Sequence, residues 1–207
     1  MDLAAADLSA SVPVDLAAPA VDLVGAPCNG GYLNSGAANA CPLNCSPKIE
    51  SVPQQLTFHV PYGTPVAYSH NPPTSGPHWP WHDGWGPHYF VSPREFWVHN
   101  LEHGGIIFLY NCPAPNSKPF DGDAGAPLPN DCAADIQHLT SFYTNHTPDW
   151  QDGGEPEVRI LITGDPYLPT RFAAVAWNWS YTFDQIDDAA INCFIASRYG
   201  RGPENEP

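Results

Sequence analysis

Val98-His99-Asn100-Leu101-Glu102-His103-Gly104-Gly105-Ile106-Ile107-Phe108-Leu109-Tyr110 changes character halfway along, and that change decides the fold. His99 and His103 are four residues apart, so one helical turn places both on the same face, with β-carbons about 6 Å from each other. Gly104-Gly105 then ends any helix, and the apolar run that follows reads as a buried strand. Written as H-x-x-E-H, the first half matches the inverted zinc-protease motif, in which the Glu is the general base. That motif belongs on a long helix, which the glycine pair denies it. What remains is a two-histidine half-site at the mouth of a strand.

Outward from this stretch, residues 56–60, 105–110, 158–163 and 172–177 are rich in β-branched or aromatic residues and closed by Gly, Pro or Asn, which predicts four strands. Residues 131–145 predict a helix with Ile136, Leu139 and Phe142 on one stripe. A second helix, capped by Asp184 and stopped by Gly200, carries Ile186, Ala190, Ile191, Phe194 and Ile195. A short Gly/Asp/Pro loop joins the last two strands, which favours antiparallel neighbours. Residues 62–104 are broken so often by Pro and Gly that they read as one long ordered loop, and loops of that length in a compact domain usually carry function. The expected fold is therefore α+β: a small, mostly antiparallel sheet, two helices on one face, a long His/Trp-rich loop, and disulfide staples.

The chain has 207 residues, with 7 Lys+Arg against 22 Asp+Glu and a formal charge of −15. Such a surface repels phosphate backbones and anionic lipid headgroups, which argues against nucleic-acid and membrane-surface binding. With 25 Pro, 17 Gly and 14% charged residues, a helical bundle is excluded in favour of a loop-rich fold. No apolar run approaches the roughly 20 residues of a membrane helix. Residues 1–27 repeat an Asp-Leu-Ala-Ala theme without aromatic anchors and read as a flexible acidic tether. Residues 28–55 form a Cys-rich segment expected to pack on the main domain, 56–207. Six cysteines without C-x-x-C pairs predict three disulfides in an oxidising compartment, with Cys112 bridged to Cys132 and Cys193 to one of Cys28, Cys41 or Cys45. Met1-Asp2-Leu3 lacks the features of a signal peptide. The expectation is a secreted, periplasmic or cell-surface protein, lipid-anchored in its precursor through a removed N-terminal anchor.

Seven of the nine histidines fall between His59 and His103, among Trp79, Trp81, Trp85, Tyr89, Phe90, Phe96 and Trp97. Pro72-Pro73-Thr74-Ser75-Gly76-Pro77-His78 is a rigid turn presenting His78, which makes it the third ligand beside His99 and His103. His82 follows at the fourth residue, but Pro80 removes the helical geometry that would aim it with His78 at one ion. His70 and His88 are spares, and Tyr68 and Tyr89 are candidate oxygen ligands or hydrogen-bond donors. Asp121-Gly122-Asp123 resembles a calcium loop but lacks the oxygen ligand at the fifth position and the Glu at the twelfth.

The runs 71–78, 98–105 and 110–113 resemble the bacterial domain of unknown function 3105 family, whose members are mostly secreted, lipid-anchored or membrane-tethered. The resemblance extends over residues 56–203 and implies kinship of fold without an activity. It makes His78, His99, Glu102 and His103 the polar members of the shared pattern. Three imidazoles without thiolate or thioether suit Cu(II) or Zn(II), and the Irving–Williams order puts copper first. The first functional expectation is an extracytoplasmic copper-binding protein, redox-active or copper-handling, with a redox or metal-delivery protein as its partner. Zinc is the alternative ion. It would lower the pKa of bound water to about 7 and give a zinc-dependent hydrolase with Glu102 as the catalytic base. A third reading, from a different class, is a non-catalytic module that holds a glycan or a protein on its Trp-rich loop.

Overall fold

A computed structural model describes residues 49–112, 132–152 and 155–204. The tether 1–27, the three N-terminal cysteines and the Asp121–Asp123 loop lie outside these residues. Three central strands are almost wholly apolar: β3 (Ile106–Tyr110), β6 (Ile160–Gly164) and β7 (Phe172–Ala176) are buried at every position, with Thr163 the one buried hydroxyl-bearing side chain of β6. A strand covered on one face only would alternate with polar residues, so both faces of this sheet carry a layer. Ile106, Phe108, Ile160, Ile162, Phe172 and Ala174 pack toward the helices α2 (Ala133–Thr144) and α3 (Asp188–Arg198). The alternate residues Ile107, Leu109, Leu161, Ala173 and Val175 pack on the other face against Trp97, Val98 and Leu101 of α1 (Arg94–Glu102). This two-residue alternation divides one sheet between two cores.

The sheet has six strands in the order β1-β8-β7-β3-β6-β2, with β1 at Ile49–Ser51, β2 at Gly86–Val91 and β8 at Trp179–Phe183. It is mixed, which corrects the mostly antiparallel expectation. The pairs β1–β8, β8–β7 and β7–β3 are antiparallel, whereas β3–β6 and β6–β2 are parallel. Parallel neighbours need a crossover. The segment from β3 to β6 runs through α2 on one face, and the segment from β2 to β3 runs through α1 on the other. Consequently β6 and β7, consecutive among the strands and joined by a short loop, are not neighbours, because β3 lies between them. The two expected helices do share a face, and α1 adds a third helix opposite. A small separate ribbon pairs β4 (Trp150–Asp152) with β5 (Glu155–Glu157).

The stretch 62–104 is not wholly loop, since it contains β2 and the nine residues of α1. Pro87 is tolerated in β2 because the strand is at the sheet edge. Residues 56–60 are not a strand, and only an isolated bridge joins His59 to His78. The hairpin from β7 to β8 turns at Trp177-Asn178, where Asn178, the second turn residue, takes a left-handed φ of 62°, a conformation Asn tolerates better than most residues. The second helix is capped by Asp187, whose carboxylate accepts from the Ala189 and Ala190 amides, and not by Asp184. Among the described residues one disulfide has both of its cysteines, the expected Cys112–Cys132 bridge. Cys193 is disulfide-bonded as well, and its expected partners lie outside the described residues.

Candidate metal centre

The end of α1 carries the site. Trp97, Val98 and Leu101 are fully buried against the sheet, so His99, Glu102 and His103 face the chain that wraps over the helix. Helix α1 stops at Glu102, and Gly104 follows with φ +78°, as the glycine pair predicts. The turn beyond it is clamped from three sides. Gly200 N–H donates to the Gly104 carbonyl at 2.8 Å, Glu204 N–H to the Glu102 carbonyl at 3.0 Å, and Arg159 Nη1 to the His103 carbonyl at 3.0 Å. Arg159 is itself buried and held by Asp149 at 2.7 Å.

The overlying chain brings the remaining donors. Phe58 and Val60 exchange backbone hydrogen bonds with His78, setting the His59 and His78 rings 5.0 Å apart. The turn 72–78 is rigid in the way its prolines predict: Thr74 and Ser75 are buried, the Ser75 hydroxyl accepts from Gln55 N–H, and the Thr74 carbonyl accepts from Asn178 N–H. The segment 82–84 is fastened to α1 by the fully buried Asn100, which accepts from Asp83 N–H and donates to the Asp83 carbonyl, both at 2.8 Å.

His59, His78, His99 and Glu102 each aim one donor atom into a common space, all four lying within 4.8 Å of one another. Around a single tetrahedral ion such donors stand roughly 3.3 Å apart, a contraction within reach of side-chain rotation. Their protonation follows from backbone carbonyls. His78 Nδ1 is 2.9 Å from the Gly76 carbonyl oxygen, and His99 Nδ1 is 2.8 Å from that of Trp79. A carbonyl only accepts, so in both rings Nδ1 carries a proton and Nε2 is the atom turned to the site. This arrangement is the one that orients metal-bound imidazoles.

His78 Nε2 is fully buried and lacks an aligned hydrogen-bond partner, although Glu102 Oε2 is only 2.9 Å away. A buried ring nitrogen and a buried carboxylate oxygen thus meet on the space the four donors share, where a proton or a metal ion held between them offsets the cost of burial. Burial alone would raise the Glu102 pKa, but the neighbouring ring of His78, with His99 and His59 behind it, lowers it below the ordinary carboxylate value. Burial, reinforced by His78, His103 and His59 and opposed by the Trp79 carbonyl, pushes His99 down to about 4. Both groups thus hold the unprotonated form that a metal needs.

Of the sequence-predicted residues, the structure brings His78, His99 and Glu102 together and adds His59. His103 stands beside this group, with its Nε2 2.9 Å from that of His99. His82 lies near His103, the ring centroids 5.6 Å apart. His70 and His88 are elsewhere, near Glu50 and Asp83 respectively. The Tyr68 hydroxyl donates to the Pro77 carbonyl, and burial raises its pKa, so it offers no phenolate ligand. Of the aromatic residues between His78 and His99, two are core. Trp97 and Trp79 are buried and Trp85 covers Gly105, whereas Trp81 and Tyr89 are exposed, Trp81 beside the exposed Tyr62. His59 is 19 residues before His78 with nothing in spacing to join them, so the sequence held no signal for it.

No helix among the described residues is long and apolar enough to cross a membrane. Comparison with curated proteins and with solved structures finds no match. Residues 59–119 match a protein family, a shorter span than the expected 56–203, and the match contains His59, His78, His82, His99, Glu102 and His103. Over that span the chain resembles the family described as "Protein of unknown function (DUF3105)".

Proposed function

We propose that this domain binds one transition-metal ion through His59, His78, His99 and Glu102. The observation that carries the reading is the buried Nε2 of His78 facing the Glu102 carboxylate, inside a group of four converging donors. Three imidazoles and one carboxylate suit Cu(II) and Zn(II), and copper takes precedence wherever it is supplied. The six cysteines support an oxidising, extracytoplasmic setting, in which Cu(II) persists. A role in copper handling or electron transfer fits that setting. Glu102 is 6% exposed and sits among the ligands, so it serves better as a donor to the ion than as a base for a metal-bound water.

Elemental analysis and electron paramagnetic resonance on protein exported to the periplasm, alongside His99→Ala, test this. One copper per chain with a nitrogen-rich Cu(II) signal, lost in the variant, is the expected result. One zinc per chain would move the reading to zinc. No metal in either protein after reconstitution would refute the site and leave the exposed pair Tyr62 and Trp81 as the surface to examine for a glycan or protein ligand.

A further inference from the structure

Helix α1 ends at the metal centre and begins at a second recess. Strands β2 and β6 run parallel and finish level, Val91 opposite Gly164. From there the chain continues as the first turn of α1 and as the loop through Asp165 and Tyr167. Outside these carboxyl ends, the place where open α/β sheets seat their ligands, lies an open cleft of about 580 Å³. Small-molecule sites usually measure roughly 300–1,000 Å³. None of His59, His78, His99 and Glu102 lines this cleft, so it stands apart from the metal reading.

The polar wall of the cleft is fixed by its own hydrogen bonds. Arg94 donates from Nε to Asp165 Oδ2 at 3.0 Å and from Nη2 to Oδ1 and Oδ2 at 3.0 and 2.7 Å, and Nη2 also reaches Asn71 Oδ1 at 2.7 Å. Asn71 Nδ2 donates to the Tyr167 carbonyl at 2.6 Å, and Tyr167 N–H donates to Asp165 Oδ1 at 3.0 Å. The guanidinium carbon lies 5.2 Å from the centre of the Tyr167 ring. This circuit leaves the two Nη1 N–H groups of Arg94 without an acceptor among the described residues. Glu95 accepts from Val66 N–H through Oε1 at 2.9 Å and keeps Oε2 open. Tyr167 is 65% exposed, and Val66, Val91 and Pro93 supply apolar wall.

Charge then selects the ligand. One guanidinium faces two carboxylates, Asp165 and Glu95, on a chain of net charge −15, so an anion is repelled. A cation finds both oxygens of Asp165 already committed. Open donors beside an open acceptor suit hydroxyl groups, which donate and accept together, while the face of Tyr167 away from Arg94 suits the C–H face of a saturated ring. We propose that this cleft binds a neutral sugar unit, with Arg94 Nη1 and Glu95 Oε2 holding its hydroxyls and the Tyr167 ring packed on its C–H face.

The test is a screen of the full chain against arrayed cello-, malto-, manno- and chito-oligosaccharides, with oligogalacturonate as the anionic comparison. Calorimetric titration of the best neutral binder follows, with and without EDTA, in wild type, Tyr167→Ala, Glu95→Gln and Trp81→Ala, each first shown by thermal unfolding to be folded. Arg94 is kept, because its removal would strand the buried Asp165 carboxylate. A neutral saccharide is expected to bind, about tenfold or more weakly in Tyr167→Ala and Glu95→Gln. Trp81→Ala and EDTA should each leave the affinity within about threefold of wild type, since neither Trp81 nor the metal group belongs to the cleft. No neutral binder above background overturns the proposal, and so does a preference for oligogalacturonate. Binding lost in Trp81→Ala and kept in Tyr167→Ala overturns it by moving the sugar to the Tyr62 and Trp81 surface. Binding abolished by EDTA overturns it by moving the sugar to the metal.

Discussion

Gly202→Ala is a one-carbon change that reaches the metal centre through backbone alone. A β-carbon at 202 would lie 2.0 Å from the Glu102 carbonyl oxygen and 2.3 Å from the Gly104 nitrogen, whereas side-chain β-carbons do not approach closer than 3.0 Å. The tail and the Glu102–Gly104 turn must therefore part by about 1 Å, and both sides of the clash are main chain with no rotamer to yield. Gly202 is not in the left-handed region, so the clash is the only strain introduced. Overpacking of this kind costs about 1–3 kcal/mol, which lowers the melting temperature by roughly 5 °C. The same shift moves Glu102 and His103 relative to His78 and His59, and a misplacement of that size is expected to weaken metal binding by about 10- to 100-fold. Competition with a chromophoric chelator gives the affinity and thermal scans give the stability. Gly84→Ala is the control, since its β-carbon would meet only His88 Nε2 at 3.8 Å. If Gly202→Ala matches the control in both measurements, the tail does not hold the turn and the account of the site's positioning fails.

Glu102→Gln keeps the shape and removes the charge, so metal affinity measured by the same chelator should fall by about a hundredfold with little change in fold. In metal-free protein the depressed His99 sets a pH dependence with a definite sign. Between its ordinary value of 6.5 and about 4 the unfolded chain takes up a proton that the native ring refuses, so the stability is full above pH 6.5 and lost toward pH 4. The loss is at most about 3 kcal/mol, and denaturant unfolding across that window should flatten in His99→Gln. Paired replacement of Cys112 and Cys132 by Ser opens a bridge across 20 residues and should lower stability by about 3 kcal/mol. Metal affinity should not change with it, because α2 lies on the sheet face opposite the site.

The elements with strong periodicity were legible in the sequence. The run from Ile106 to Tyr110, the Ile136 and Leu139 stripe of α2 and the Ile191 to Ile195 core of α3 occupy the places their patterns predict. The strand order was not, because Ile160–Gly164 is equally apolar whether its neighbour is parallel or antiparallel, and only the crossover through α2 decides between them. Helix α1 was visible as one turn and hidden as nine residues. Its apolar face is the narrow set Trp97, Val98 and Leu101, and its other face is spent on polar donors, so the usual amphipathic signal is weak. Pro87 concealed β2, and the two-residue hairpin at Asn178 that makes β8 was there to be read.

For the site, the division between what could and could not be read has a physical basis. His99, Glu102 and His103 share a helical turn, and His78 ends a proline-fixed turn, so local rules reach all four. His59 enters through a backbone bridge to His78, a contact that no side-chain pattern encodes. The protonation that makes these rings ligands is also set by main chain: the Gly76 and Trp79 carbonyls hold Nδ1–H and leave Nε2 open. Those carbonyls are fixed in turn by the Gly76 turn, at φ +127° against Tyr68 and Gln55, and by the hydrogen bond from Trp79 N–H to the Glu95 carbonyl in α1. The metal chemistry thus depends on how a proline-rich wrap lies across one short helix. Substitutions that move the wrap, such as Gly76→Ala, should disable the site while every ligand remains in place.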